Sequence, residues 1–473
     1  MNRMEPMTPE VIFLPLRDIS KLIRSKEISP TEVACKFLDR LEDIGPQFNS
    51  VVTVTRDLAL QQASKAEKEI LSGHYKGPLH GIPYGAKDLL ATSGEIPTTW
   101  GAEIFRDRTL NFDATVIVKL REAGAVLAAK LAMVELAGGM GYRQPNASLT
   151  GPCKSPWDME RWAGGSSSGS GSAVGCGLVP FAIGSETWGS ILSPANNCGI
   201  SGLRPTYGRV SRYGAMTLSW TLDKLGPLAL TADDCGIILE AISGNDHHDP
   251  SSSNRVYKYA GQTSDRRFKL GVIEGILEGV DEEVSNNFQK SLDILSQFAD
   301  ISTVNIPDYP YQEMTRTIMM GESASAFEEF TEKGLASELT APEDRHGPYA
   351  RTAVLAKDYL KALRIRGKVA VEIDKVMSKF DSIVAPTKST PASSITEEFR
   401  GAIRGNSKDE MGAIGNSLGL PSISVPNGFT ERNLPTGMQF MGRPYSENII
   451  LSIANSYQGI TDWHTKHPES LLP

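Results

Sequence analysis

The chain of 473 residues carries 48 Lys+Arg against 56 Asp+Glu, a net charge of −8, and is 40% apolar, 22% charged and 7% aromatic. These proportions exclude a disordered, collagen-like or coiled-coil chain, and the acidic balance lacks the basic stripe that a nucleic-acid partner demands. Five cysteines, Cys35, Cys153, Cys176, Cys198 and Cys235, form an odd set with no C-x-x-C pair, so neither a disulfide framework nor a thiolate zinc site is expected.

Near the start, the apolar stretch Val11–Leu16 is short and follows two acids, Glu5 and Glu10, which is wrong for a signal peptide. No apolar run approaches the roughly 20 residues of a membrane span, and a cytoplasmic protein without a membrane partner is expected. Ile28-Ser-Pro-Thr31 supplies turn and cap chemistry ahead of a helix over Thr31–Leu41, with Val33, Phe37 and Leu41 on one face. Asp113–Ala123 reads as another helix, closed by Gly124 and followed by a strand over Ala125–Ala129. Thr231 caps a helix over Ala232–Ile242, Leu270–Ile273 is a strand, Asp281–Phe298 is an amphipathic helix, and Ile301–Ile306 extends again. Such alternation predicts an α/β fold with a largely buried sheet. Leu355, Tyr359, Ala362, Val369, Ile373, Val376 and Phe380 keep helical spacing and predict one long helix from Tyr349 to Phe380. Ile383–Ala385 and Ile423–Val425 read as buried strands, each ending at a proline, and the polar segment Lys388–Asp409 as a mobile loop.

Between Trp162 and Leu203 the chain has ten glycines, nine serines and a single charged residue, Glu186. Cores are normally filled by Leu, Ile and Val, and exposed Gly/Ser loops are normally studded with charge. Polar backbone that is buried must be satisfied, so this segment points to N–H groups arranged around a ligand or an oxyanion. Within it, Gly165-Ser-Ser167-Ser-Gly169 matches the G-x-S-x-G nucleophile elbow and makes Ser167 one candidate attacker, although Pro and charge stand where the elbow needs a strand. Gly169-Ser-Gly171-Ser-Ala-Val-Gly175 is a weak match to a dinucleotide loop, and no Walker loop or H-E-x-x-H is present. A serine nucleophile without histidine needs another base, and a neutral lysine serves in Ser-Lys variants of the triad. Lys87, in His80-Gly-Ile-Pro-Tyr-Gly-Ala-Lys87-Asp88, is the candidate.

Taken together, the ordered motifs closely resemble the amidase signature family. They run from Gly81-Ile-Pro…Lys87-Asp88 through Gly164-Gly-Ser166-Ser-Ser-Gly-Ser170 and Gly184-Ser-Glu-Thr-Trp-Gly-Ser190-Ile. Cys198–Ser211, Leu225-Gly-Pro227, Asn416–Pro426 and Pro435-Thr-Gly-Met-Gln439…Gly442-Arg-Pro444 complete them. The resemblance implies an α/β fold: one large domain over 1–473 around a mixed, mostly parallel sheet with helices on both faces. It divides into a helical lead over 1–75, a signature core over 76–230, and a further α/β and helical region over 231–473. It also implies Ser190 as nucleophile, Ser166 as the bridging serine behind a cis peptide, and Lys87 as base. The backbone N–H groups of Thr187, Trp188, Gly189 and Ser190 match the oxyanion hole. Lys87 has to be neutral to accept a proton, and charge-poor surroundings lower a lysine pKa. No metal or cofactor is implied.

Three positions depart from the family pattern: Ser168 stands for a glycine, Trp188 for the first glycine of G-G-S, and Leu192 for the arginine of S-I-R. Members of the family hydrolyse primary, fatty, aryl and peptide C-terminal amides, malonamate, and some carbamates or esters. An indole beside the oxyanion hole points to aryl amides, anilides or carbamates, and loss of the arginine to neutral, hydrophobic substrates. Gly139 and Met140, in the loop Gly138–Gln144, join Trp188 and Leu192 as candidate substrate contacts. The expected partner is a small amide or carbamate, and the expected state a monomer or homodimer. Two alternatives stay open: a component of a glutamine-dependent amidotransferase, against which Leu192 and Glu186 argue, and a non-catalytic binding homologue.

Overall fold

The structure, a computed structural model, describes residues 10–140, 144–261, 266–398 and 409–472. In chain order its strands are β1 (Val51–Val54), β2 (Pro83–Lys87), β3 (Val126–Leu131), β4 (Lys154–Ser155), β5 (Asp158–Trp162), β6 (Phe181–Glu186) and β7 (Ser201–Arg204). There follow β8 (Lys224–Ala229), β9 (Phe268–Ile273), β10 (Ala299–Val304), β11 (Ser382–Pro386), β12 (Ser422–Phe429) and β13 (Pro435–Met441). Strands β4 and β5 form a separate hairpin, and the other eleven make one sheet in the order β1-β3-β2-β6-β8-β7-β12-β13-β11-β9-β10. Strands from all three expected zones of the chain therefore share one sheet.

The sheet is mixed, but its expected parallel majority is not there. Only β2 with β3, β2 with β6, β9 with β10 and β9 with β11 pair in parallel; the other six neighbouring pairs are antiparallel. The physical reason lies in the connections. A helix crosses over between β2 and β3 (Thr115–Glu122) and between β9 and β10 (Glu282–Leu295), which allows parallel pairing. In the middle, β12 and β13 form a hairpin, and that needs antiparallel pairing.

Alternate residues along the central strands enter different apolar clusters. Phe181 and Ile183 of β6 join one and Ala182 the other; Leu225 and Ala229 of β8 face Leu228 in the same way. Side chains alternate across a strand, so both faces of the sheet are packed. Ser29 closes a capping box with Glu32 on the helix Pro30–Asp43, and Thr231 caps Ala232–Ile242, accepting from the Asp234 amide at 3.0 Å.

Two expectations change. The long helix is two, Pro342–Arg351 and Ala356–Met377; Tyr349 and Leu355, at the expected start of the helix and of its apolar run, are more than half exposed and bury too little to hold the helices in line. Strand β12 does not stop at Pro426 but runs to Phe429, with a register shift between Pro426 and Gly428. Parts of two expected loops, residues 141–143 and 399–408, lie outside the described residues. All five cysteines are unpaired, and no described helix is long and apolar enough to cross a membrane.

Candidate active site

Lys87 is the last residue of β2, inside the sheet between β3 and β6, and is fully buried. Its ammonium nitrogen donates to Ser166 Oγ at 2.8 Å, Ser185 Oγ at 2.8 Å and Ser167 Oγ at 3.0 Å. Burial pulls its pKa down to about 7, against the opposing pull of Asp223 and Glu186. Three hydroxyls around a lysine satisfy its donors without adding charge, so the neutral amine is within reach at ordinary pH. Ser166 sits between β5 and the helix Ser168–Gly175, and the Gly165–Ser166 peptide is cis.

Residues 187–190 link β6 to the helix Leu192–Cys198, turning at Gly189 with φ +82°, a conformation that favours glycine. Glu186 organises this turn from below. One carboxylate oxygen accepts from the amides of Ile191 at 2.9 Å and Leu192 at 3.1 Å, and the other from Arg204 Nη1 at 2.8 Å. Burial pushes the Glu186 carboxyl up, but Arg204 and Lys224 outweigh it and hold it below the usual range. Thr187 Oγ1 donates to Asp223 at 2.6 Å, tying the start of the turn. The amides of Thr187, Trp188, Gly189 and Ser190 have no protein acceptor among the described residues. Unsatisfied N–H groups gathered in one turn are suited to an oxyanion.

A cavity of about 620 Å³ opens over this turn. Ser190 lines it, whereas Lys87, Ser166 and Ser167 stand behind its wall. The backbone of Ser190 meets the serine run where its carbonyl accepts from the Ser167 amide at 3.3 Å. No hydrogen bond joins the Ser166 and Ser190 hydroxyls among the described residues. The elbow reading of Ser167 fails on position: its hydroxyl accepts from Lys87 and from the Ser185 amide at 3.2 Å and donates to the Ser185 carbonyl at 3.1 Å. Ser167 thus holds the lysine and has no access to the cavity.

Trp188, Leu192 and Met140 line the cavity, but Gly139 does not. A Cβ at Gly139 would lie 2.8 Å from Phe327 and 2.9 Å from Leu218, so this glycine serves close packing, and its neighbour Gly138 lines the cavity instead. Trp188 is half-buried, and its indole N–H donates to Asp409 Oδ2 at 2.7 Å; Asp409 in turn caps the helix Glu410–Ser417 through the Gly412 amide at 2.9 Å. The indole is therefore both cavity wall and tether.

With this geometry in place, likeness to known proteins is decisive at the level of family. A match to the Amidase family covers residues 32–451. The chain belongs to the amidase signature family. The A-subunit of the glutamyl-tRNA(Gln) amidotransferase of Carboxydothermus hydrogenoformans is 34% identical to this chain, over 97% of it and 100% of the relative. Among solved structures, the peptide amidase of Stenotrophomonas maltophilia matches with a TM-score of 0.83 at 26% identity, covering 94% of this chain and 96% of that one. A bacterial aryl acylamidase matches at 0.84 and 24% identity, covering 96% and 98%, a likeness of fold.

Ser185, Lys388 and Arg316 escape sequence reasoning. Ser185 lies inside a quoted motif, and its position two residues from Ile183 on β6 is the available signal. Lys388 lies in a stretch that reads as a polar loop, yet it follows β11 directly and lines the cavity. Arg316, on the helix Tyr311–Ala326, also lines the cavity, and its sequence surroundings carry no motif. Among the described residues one group of side chains is close enough to share a metal ion, Asp246, His247 and His248, and it lies away from this cavity.

Proposed function

We propose that this amidase cleaves an amide C–N bond through an acyl-enzyme on Ser190. Neutral Lys87 accepts a proton from Ser166, and Ser166 takes the proton of Ser190 as its oxygen attacks the carbonyl carbon. The N–H groups of residues 187–190 receive the developing oxyanion. The proton returns along the same relay to the leaving nitrogen as the C–N bond breaks, and water, deprotonated by the same relay, then releases the acid. The observation that carries this reading is the fully buried Lys87, 2.8 Å from Ser166 Oγ with its pKa drawn down to about 7, directly behind a turn of unpaired amides.

Two readings of the substrate are supported. Whole-length similarity to the A-subunit of glutamyl-tRNA(Gln) amidotransferase favours glutamine as the amide and a complex as the working form, and relatives back this reading better than the other. The apolar side of the cavity, Trp188 and Leu192 with Met140, Leu218 and Met319, supports an autonomous hydrolase of aryl amides or carbamates. The purified chain, incubated alone with glutamine and with 4-nitroacetanilide, decides between them. Anilide turnover without glutaminase activity supports the autonomous enzyme; glutaminase activity that rises when partner chains of the complex are added supports the amidotransferase. Failure of a serine-directed fluorophosphonate to label Ser190 overturns the chemistry common to both.

A further inference from the structure

Lys388 faces the cavity beside Thr387, Ser193 and Gln439, and the relay does not use it. Its ammonium donates to Asn197 Oδ1 at 2.9 Å. Asn197 is itself fixed: the same oxygen accepts from Asn196 Nδ2 at 3.2 Å, and its amide donates to the Trp162 carbonyl at 3.0 Å. A rigid neighbour therefore aims the lysine, and among the described residues no carboxylate lies within ion-pair distance of it. Three acids line the cavity: Glu186 is engaged by Arg204 and two amides, Asp409 by Trp188 and the Gly412 amide, and Glu343, on the helix Pro342–Arg351, keeps one buried carboxylate oxygen without a partner and makes no ion pair with Lys388 among the described residues. Burial lowers the Lys388 pKa to about 8, which still leaves it largely protonated at neutral pH. An ammonium has three donors, and among the described residues Asn197 takes one.

We propose that Lys388 is a specificity residue that binds a carboxylate carried by the substrate at a distance from the scissile amide. This rests on the amide-hydrolase reading above. Asn197 stands five residues beyond Leu192 on the helix Leu192–Cys198, and at about 1.5 Å of rise per residue the two positions are roughly 8 Å apart along the helix axis, so the carboxylate is expected several ångströms from the scissile amide. Leu192 keeps charge away from the reacting bond, and Lys388 supplies it at the other end of the same helix. The expected substrate thus has an apolar middle and an anionic end, in place of the wholly neutral one that Leu192 alone suggests.

The test uses the full chain and mono-4-nitroanilides of succinic, adipic and suberic acids, each paired with the 4-nitroanilide of the unbranched monoacid of equal length. A second pair, 4-acetamidobenzoate and its methyl ester, carries the charge on the leaving side. The quantity read is the ratio of kcat/KM, acid over neutral partner, in wild type, Lys388→Met and Lys388→Arg. One charge-assisted hydrogen bond predicts that Lys388→Met lowers the ratio by about 10- to 100-fold, chiefly through KM. Lys388→Arg retains most of it, which separates loss of charge from damage to the fold. A ratio the same in wild type and Lys388→Met, in every pair, overturns the proposal. Fluorophosphonate labelling of Ser190 and turnover of the neutral anilides report separately on the hydrolase reading, so the two failures are distinguishable.

Discussion

The wall of the cavity that carries Ser190 and the wall that carries Lys388 are built in different ways. The first comes almost entirely from one stretch, Gly164 to Cys198, with Lys87 pushed against it from the neighbouring strand, and its polar side chains are buried and most are bonded to one another, while the amides of residues 187–190 are left open. The second is assembled from residues far apart in the chain, among them Arg316, Met319, Lys388 and Asp409, on helices and on the segment after β11. Several of its side chains are half-exposed, and Lys388 offers donors that the described residues do not use. Reaction chemistry tolerates displacements of only a fraction of an ångström, which suits the proposed nucleophile and base to a wall of backbone held from both sides. Substrate choice tolerates more, and it rests on side chains that can be exchanged one at a time.

Breaking the first wall at its centre has the largest expected effect. Ser190→Ala should reduce turnover by roughly four or more orders of magnitude and remove fluorophosphonate labelling, measured by intact mass and initial rates. Residual turnover near wild type would move the nucleophile elsewhere.

Lys87→Met should cost about three orders of magnitude near pH 7. In the proposed relay the neutral amine is the active form, so the rate should fall as pH drops through the region of its pKa of about 7, well below the range of a free lysine. The stability consequence has a definite sign. Between pH 7 and the free-lysine range the unfolded chain binds a proton at residue 87 that the folded chain does not, so Lys87 makes stability rise with pH in that window and subtracts from it at neutral pH. Lys87→Met should therefore be inactive yet melt higher at pH 7, with a smaller gain at pH 10. Calorimetry at the two pH values checks this, and a lower melting temperature at both would contradict the burial of a lysine that carries a desolvation cost.

How much of this is legible in sequence follows the same division. The helix Ala232–Ile242 is readable to the residue because its cap, Thr231, and its apolar spacing are local signals. The reacting segment is readable because a window with one charged residue among ten glycines and nine serines has no ordinary explanation. Strand order is not readable: which strands are neighbours depends on contacts between residues hundreds of positions apart, and the alternation of helix and strand reports only the crossovers at the two flanks. Periodicity also carries the helix through 352–355, because spacing cannot tell an exposed Leu355 from a buried one. Lys388 is invisible for a related reason. A lysine in a polar stretch looks solvated until the fold brings Asn197 beside it.

Ser167→Ala sharpens the comparison within the first wall. Removing its hydroxyl takes one of three acceptors from Lys87 and leaves the Ser185 amide without its partner. One buried neutral hydrogen bond predicts a drop in kcat of about 5- to 10-fold, with labelling still on Ser190. Complete loss of labelling would make Ser167 part of the reacting set and not a support for it.

The smallest effect is expected at Trp188, where the two walls meet. Its backbone belongs to the turn of unpaired amides and its indole reaches Asp409 on the opposite side. Stacking of an aromatic leaving group on this ring is worth about 0.5–1.5 kcal/mol beyond area burial, which is roughly 2- to 12-fold in kcat/KM. Trp188→Gly should shrink the preference for 4-nitroacetanilide over propionamide by that factor, while the amide at 188 remains and the relay through Ser166 to Lys87 is untouched. Trp188→Phe separates the ring from the tether, since it keeps an aromatic face and loses the bond to Asp409. If stacking sets the preference, Phe retains it and Gly does not. If the tether sets it, by fixing the helix Glu410–Ser417 against the cavity, Phe and Gly lose it equally and Asp409→Asn, which keeps an acceptor for the indole, preserves it. An unchanged ratio in Trp188→Gly would exclude both contributions and place the indole among the packing residues of the wall.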